Sequence, residues 1–327
     1  MKNINDIVID YLTKYPTMPS LTLARKIKQD HPLLFNNAES VRSMLRTRRG
    51  KNGKRMKPYK RVEHDEIINI NDLPKSHAIK RTPHRIPKTC RKVLVISDLH
   101  IPYHVPEAIA VALQDAKKEK IDAIIINGDL LDFHWLSRFE KDPRKRKTKH
   151  EFEAARQFLV YLRKMFPSAH IVWNEGNHDA RYKKYLAAHA LELFDDEYYT
   201  MEKRLDLAAL KIHFVPENTL TYAGKLSISH GHNIVRGIFA PVNAARGVFL
   251  KTKESHLIGH THSVSEHTEK RLSKEIITTW SVGCLCELNP DYDPFVSKAA
   301  HGYAMITLNA SGNYSVRNYR IYNGVRL

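Results

Sequence analysis

Hydrophobic positions along the chain follow two regimes. Over the first fifty residues they recur at helical spacing in short stretches. Ile4, Ile7, Val8, Tyr11 and Leu12 stand at i, i+3, i+4, i+7 and i+8, the stripe of an amphipathic helix, and the segment 16–19, with a proline at each end, breaks it. Leu21, Leu23, Ala24 and Ile27 make a second stripe, with Ser20 as the expected N-cap and His31-Pro32 as the stop. A third helix is expected over 38–49, capped by Asn36 or Asn37, with Val41, Met44 and Leu45 on one face and Arg42, Arg46, Arg48 and Arg49 on the others. Residues 55–91 are rich in Lys, Arg, Pro and His with few apolar pairs, which reads as a linker or loosely packed arm.

From Lys92 onward apolar runs of strand length alternate with helical patterns. Strands are expected at 93–97, 122–127 and 170–174, with helices near 106–118 and 151–166 between them. Strand, helix, strand, helix, strand implies a parallel sheet with crossovers. After a further helical stretch at 181–193 the pattern turns strand-rich, at 211–215, 225–229, 256–258, 275–282, 302–308 and 314–322. The chain thus divides into a basic helical unit (1–54), a basic linker (55–91) and an α/β body (92–327), with no internal repeat.

Composition sharpens this picture. A chain of 327 residues with 42% apolar content buries a substantial core, which excludes a disordered or fibrous protein. No apolar run approaches the roughly 18 residues of a membrane span, and the first residues lack a secretory pattern, so a cytoplasmic protein without a membrane partner is expected. Cys90, Cys284 and Cys286 make neither a disulfide framework nor a four-ligand zinc site, which fits a reducing compartment. The net charge of +18 is unevenly placed: residues 1–92 hold 22 Lys+Arg against 8 Asp+Glu, and residues 138–149 hold 7 against 2. Basic fields of this kind attract polyanions, nucleic acid ahead of an anionic membrane surface. A trihelical unit with a basic last helix is similar to helix-turn-helix DNA-binding domains.

The chemistry sits at the ends of the strands. Asp98-Leu99-His100, Gly128-Asp129-Leu130-Leu131-Asp132, Gly176-Asn177-His178-Asp179, His230-Gly231-His232 and Gly259-His260-Thr261-His262 each follow an apolar run. Carboxyl ends of strands are where α/β sheets build sites. Residues two apart on a strand point to one side, so Asp98 with His100, and His260 with His262, are expected to present pairs of ligands. Imidazole, carboxylate and amide oxygen without thiolate suit Mn first, with Fe, Zn or Ni as alternatives. One ion needs only three or four of these groups. Seven candidates suggest two ions about 3.5–4 Å apart, bridged by a carboxylate, the arrangement that clamps both oxygens of a phosphate-ester displacement.

In their order, D-x-H, G-D-x-x-D, G-N-H-D, H-G-H and G-H-x-H, these motifs resemble the calcineurin-like metallophosphoesterase superfamily over residues 92–327. The resemblance implies a four-layer αββα sandwich of two mixed sheets. It implies that Asp98, His100 and His262 hold one divalent metal ion, that Asn177, His230 and His260 hold the second, and that Asp129 bridges them. It also implies that His178 is catalytic, stabilising phosphoryl oxygens or protonating the leaving group while a metal-bridging hydroxide attacks phosphorus. Asp132 and Asp179 match positions that orient ligands or His178. His232 is ambiguous between the site and its surroundings, and Arg181 between a phosphate contact and an ordinary surface arginine. Tyr103 and Trp135 read as packing residues, and His104, His134, His189 and His213 receive no role.

The attached basic unit and the 138–149 insertion favour a DNA phosphodiesterase, nuclease or end-processing phosphatase that meets nucleic acid through residues 1–54 and 138–149. A phosphatase of phosphoproteins or small esters, and a DNA-binding regulator with a phosphoesterase scaffold, are the alternatives. A phage or mobile element would suit such a fusion.

Overall fold

A computed structural model describes residues 3–50, 73–137, 148–235, 243–289 and 298–327, in two compact units, Met1–Ala78 and Ile79–Leu327. The first unit contains α1 (Ile4–Lys14), α2 (Ser20–Asp30) and α3 (Ala38–Arg48). Their stripes meet in one small core of Ile7, Val8, Leu23, Ala24, Ile27, Phe35, Val41 and Leu45. Asn37 caps α3 by accepting the Ser40 N–H at 2.8 Å. The expected cap at Ser20 is displaced: Ser20 lies inside α2 and Pro19 takes the N-cap place without a side-chain bond.

In the second unit the strands are β1 (His84–Arg85), β2 (Lys92–Ile96), β3 (Ala123–Asn127), β4 (His170–Asn174), β5 (Ile212–Val215), β6 (Thr221–Ala223), β7 (Leu226–Ile228), β8 (His256–Ile258), β9 (Ser265–Lys270), β10 (Ile276–Ser281), β11 (His301–Leu308), β12 (Tyr314–Tyr322) and β13 (Val325–Arg326). They form a seven-stranded sheet ordered β13-β12-β11-β2-β3-β4-β5 and a six-stranded sheet ordered β1-β6-β7-β8-β10-β9. β2 to β5 run parallel, and β11 to β13 add antiparallel strands. The helices are α4 (Pro106–Glu119), α5 (Thr148–Met165), α6 (Ala180–His189), α7 (Leu191–Phe194), α8 (Met201–Arg204) and α9 (Ala244–Thr252).

The period-2 alternation of β2 and β3 builds the layers. Leu94, Ile96, Ile124 and Ile126 face Ile109, Leu113, Phe158, Leu159 and Leu162 of α4 and α5. Their neighbours Val93, Val95 and Ile125 face Leu226, Ile228, Leu257 and Trp280 of the other sheet. α9 packs on the outer side of that sheet, against β8, β9 and β10, which completes the αββα order.

The linker expected at 55–91 gives its last part to this body. β1 pairs with β6, and Ile86 and Cys90 are buried between the sheets. Two lone apolar side chains, rather than a run, make this docking, so no periodic signal marks it.

Candidate metal centre

The seven expected ligands leave the carboxyl ends of strands from both sheets: Asp98 and His100 after β2, Asp129 after β3, Asn177 after β4, His230 after β7, and His260 and His262 after β8. The pleat is not what turns them inward. All seven lie beyond the strand ends, where Asp98, His100, Asp129, His260 and His262 take left-handed φ values of 56°, 48°, 51°, 64° and 52°. Such backbone is uncommon for non-glycine residues and gathers at functional sites. In D-x-H and H-x-H, a left-handed residue on either side of an ordinary one folds both side chains to the same place.

Two groups of side chains share one carboxylate. In the first, Nε2 of His262 lies 3.3 Å from Asp98 Oδ1 and Nε2 of His100 lies 3.9 Å from it, with the two ring nitrogens 3.2 Å apart. In the second, Nε2 of His230 lies 3.0 Å from Asp129 Oδ2 and 3.1 Å from Asn177 Oδ1, and the His260 ring stands 5.2 Å from the His230 ring. Asp129 Oδ2 is also 3.8 Å from His100 Nε2, so one oxygen faces both groups. Asp98 is fully buried, yet its Oδ1 has no hydrogen-bond partner among the described residues. A buried carboxylate oxygen aimed at two imidazole nitrogens is costly unless a cation joins them, so the donor set fits divalent ions.

Behind these groups lies a layer that aims them. His100 Nδ1 meets Asp132 Oδ1 at 2.9 Å, and His230 Nδ1 donates to the Asn127 carbonyl oxygen at 2.8 Å. Each contact leaves Nε2 directed at the shared centre, the arrangement that fixes tautomer and orientation in metal-ligating histidines. Asp98 Oδ2 accepts the Ser97 hydroxyl and the His260 backbone N–H. Gly176 is needed for close approach, because a Cβ there would overlap the carboxylate and backbone nitrogen of Asp129.

Carboxylates and imidazoles polarise one another here. Burial pushes the Asp129 carboxyl up, but the charges of His230 and His178 outweigh it and hold it well below its usual range. Asp98 and Asp132 are likewise lowered against burial, by His230 and His262 for the former and by His100 and His178 for the latter. Burial opposes charge on His230, yet Asp129 and Asp98 raise it to about 9. His260 goes the other way, to about 4, through burial and the neighbouring His230. His178 is lowered, chiefly by burial.

The remaining expected residues separate. Asp132 contacts both His100 and His178. Asp179 bonds neither His178 nor an expected ligand. Its oxygens accept the N–H groups of Leu131 and Gly176 and the Trp173 indole, so it fastens the loops that carry Asp129 and Asn177. Burial and the charge of Asp129 raise it to about 7. His232 turns to Glu217 Oε1 at 3.2 Å. Most of the 138–149 insertion lies outside the described residues. Asn127, Glu151 and Cys286 were not singled out by motif: Cys286 Sγ sits 3.9 Å from His262 Nδ1, and Glu151 accepts the Phe133 N–H at 2.7 Å. A polar residue ending an unbroken Ile124-Ile125-Ile126 run was the one available signal, for Asn127.

The family model for calcineurin-like phosphoesterases matches residues 91–282. The Gene 54 proteins of Mycobacterium phages L5 and D29 are each 29% identical, over 193 and 187 residues, covering 54% of this chain and 72% of each relative. Among solved structures, Vacuolar Protein Sorting 29 of Cryptosporidium parvum is similar over 73% of this chain and 95% of its own, at 15% identity and a TM-score of 0.41.

Proposed function

We propose, from the premise that this chain belongs to the calcineurin-like phosphoesterase family, that it is a two-metal phosphoesterase acting on nucleic acid. Membership makes it a hydrolase of phosphoric esters that uses divalent metal. The observation that carries the two-ion reading is Asp129 Oδ2, which faces His230 on one side and His100 on the other.

Asp98, His100 and His262 would hold one ion and Asn177, His230 and His260 the other, with Asp129 shared. Bound there, the ions would lower the pKa of water and offset charge on the phosphoryl oxygens. Hard and borderline donors favour Mn, with Fe, Zn or Ni as alternatives. Asp132 and the Asn127 carbonyl keep the His100 and His230 rings aimed, and His178 stands at the rim, its backbone N–H held by Asp129 Oδ1 at 2.8 Å.

Charge supports the substrate class. The excess of basic residues lies in residues 1–92 and 138–149, the second stretch directly following the Asp129–Asp132 motif, so residues 1–54 and 138–149 are read as contacts to a phosphate backbone. The phage relatives support a phage or mobile-element origin.

The test is Mn-dependent hydrolysis of end-labelled single- and double-stranded DNA, a 3′-phosphate-tipped duplex and bis-nitrophenyl phosphate, by wild type and Asp129→Asn. Cleavage or end release on DNA that the variant loses is the expected result. Turnover of the small ester alone would move the substrate to a phosphoprotein or small phosphate ester.

A further inference from the structure

A second cavity opens at the other end of the strands from the metal centre. Arg91 precedes β2 and Asp98 follows it, so the two sites lie roughly 20 Å apart along that strand. The cavity, of about 240 Å³, is bounded by the segment 85–91, by Tyr222 and the turn 224–225, and by residues 308–312. Backbone bonds fix these walls against one another. The Ile86 N–H donates to the Tyr222 carbonyl at 3.1 Å, the Leu308 N–H to the Arg91 carbonyl at 2.7 Å, and the Lys225 N–H to the Gly312 carbonyl at 2.9 Å. Gly224, at a φ of 58°, permits the last approach, because a Cβ there would overlap the Gly312 carbonyl.

The charge of this cavity is one-sided. Arg85, Lys88, Arg91 and Lys225 line it, and among the described residues no Asp or Glu does. Arg91 Nη1 donates to the Asn309 carbonyl and Lys225 Nζ to Asn313 Oδ1, both at 2.7 Å, so neutral acceptors hold these cations and leave their charge uncancelled. Below them the floor is apolar and buried, made by Ile86, Cys90 and Leu308. On one wall the Arg85 guanidinium lies 4.3 Å from the centroid of the Tyr222 ring, a flat surface that is cationic on one side and aromatic on the other.

A bare phosphate would meet the cations and leave the floor and the stacked pair unused, and a purely apolar ligand would leave four charges unmatched. A nucleotide engages all three, since bases stack on tyrosine rings and guanidinium planes while phosphate meets Arg and Lys. The space equals roughly eight water molecules at about 30 Å³ each, enough for one base and too little for a duplex.

We propose that this cavity binds one nucleotide, its base on the Arg85–Tyr222 pair and its phosphate among Lys88, Arg91 and Lys225. One residue of a single strand and a free nucleoside monophosphate share that chemistry. The strand form rests on the nucleic-acid reading of the substrate, and gives the phosphoesterase body a hold on nucleic acid remote from the ions.

The test uses the full chain in EDTA, which halts turnover and removes the hold of the ions on phosphate. Anisotropy of a labelled oligothymidylate compares wild type with Lys88→Glu, Ser311→Glu, Arg85→Ala and Tyr222→Leu. Lys117→Glu, exposed on α4 and outside the cavity, controls for charge alone. The two glutamate variants at the rim should weaken binding by about fivefold or more and lower the salt slope by about 0.7 each, as for one single-strand phosphate contact. Loss of the stack in Arg85→Ala or Tyr222→Leu should weaken it about tenfold, with Lys117→Glu within about twofold of wild type. Photocrosslinking of 4-thiothymidine, placed in the oligomer or supplied as its monophosphate, then locates the base by mass spectrometry. Crosslinks on Tyr222 or residues 85–91 that Lys88→Glu suppresses are expected, from the oligomer alone if a strand is the occupant and from both probes if a free nucleotide is. Crosslinks only outside the cavity, or affinities that the rim and stack variants leave unchanged, would overturn the proposal. Mn-dependent cleavage of DNA by a protein that fails this test would leave the nucleic-acid reading standing, and a crosslinked monophosphate in a protein that neither binds nor cleaves DNA would sink that reading and keep the cavity.

Discussion

His100 and Asp132 meet at 2.9 Å between Nδ1 and Oδ1, with neither side chain more than 4% exposed. Asp132 is therefore the charged partner behind the ring of an expected ligand, whereas Nδ1 of His230, another expected ligand, meets the neutral Asn127 carbonyl. Substitution at Asp132 should act first on metal affinity. Asp132→Asn keeps an acceptor but loses the charge, and Asp132→Ala loses both, so metal dissociation constants should rise by about 10-fold and up to about 100-fold respectively. Calorimetric Mn titration checks the order, and equal affinities in all three proteins would remove Asp132 from the support of His100.

Gly176 and Asp129 give a steric test. Because a methyl at residue 176 would overlap the Asp129 carboxylate and its backbone nitrogen, Gly176→Ala must push the shared carboxylate away from His230 or shift the loop. The expected outcome is loss of most metal binding with a stability cost of about 1–3 kcal/mol, as for overpacking. Thermal unfolding with and without Mn reads both, and a variant that still gains the wild-type Mn stabilisation would refute the contact.

The order of motifs and the strands that precede them were legible because each metal candidate follows an apolar run, and β4, β8 and β12 fall where the pattern puts them. What the pattern missed has physical reasons. β9 reads Ser-Glu-His-Thr-Glu-Lys, an exposed strand stabilised by pairing with β10 rather than by burial, so no hydrophobic alternation announces it. The backbone of Asp98, His100, His260 and His262 is set by tertiary contacts, which spacing rules for an extended strand do not contain. Asp179 shares a motif with His178 yet serves the loops. Adjacency in sequence at a helix start sends neighbouring side chains in different directions.

Glu151 gives the fold a pH dependence of its own. It is buried at the start of α5, holding the Phe133 N–H, and burial together with the charge of Asp132 raises its carboxyl to about 8. A carboxyl with a raised folded pKa stabilises fully below its unfolded value, here 4.5, and that contribution is lost as pH rises through about 8. Between those limits the folded state binds more protons, so stability falls with rising pH. Glu151→Gln keeps an acceptor for Phe133 and removes the titration. The difference between variant and wild-type urea unfolding should therefore grow in the variant's favour from pH 5 to 8, by on the order of 1–3 kcal/mol. A flat difference would place the ionisation elsewhere, and taking the difference cancels the opposite contribution of His256, whose burial lowers it to about 4.

The N-terminal unit should contribute affinity rather than chemistry. Some of its basic residues serve its own fold: Arg49 donates to Ser20 Oγ and the Pro16 carbonyl, Arg48 to Asn5 Oδ1, and Arg42 pairs with Glu39. Fewer charges than the sequence carries are thus left for phosphate, and removing residues 1–54 should flatten the salt dependence of DNA binding by a slope of roughly 2–4, at about 0.9 per phosphate contact. The core that these helices share is their own, so hydrolysis of bis-nitrophenyl phosphate should stay within about twofold of the full chain, a change too small to reflect a lost catalytic group. Measuring log affinity against log salt for both proteins, beside ester turnover, separates the roles. An unchanged slope would show that the N-terminal charge does not meet DNA, and a collapse of ester turnover would show that the unit supports the metal centre.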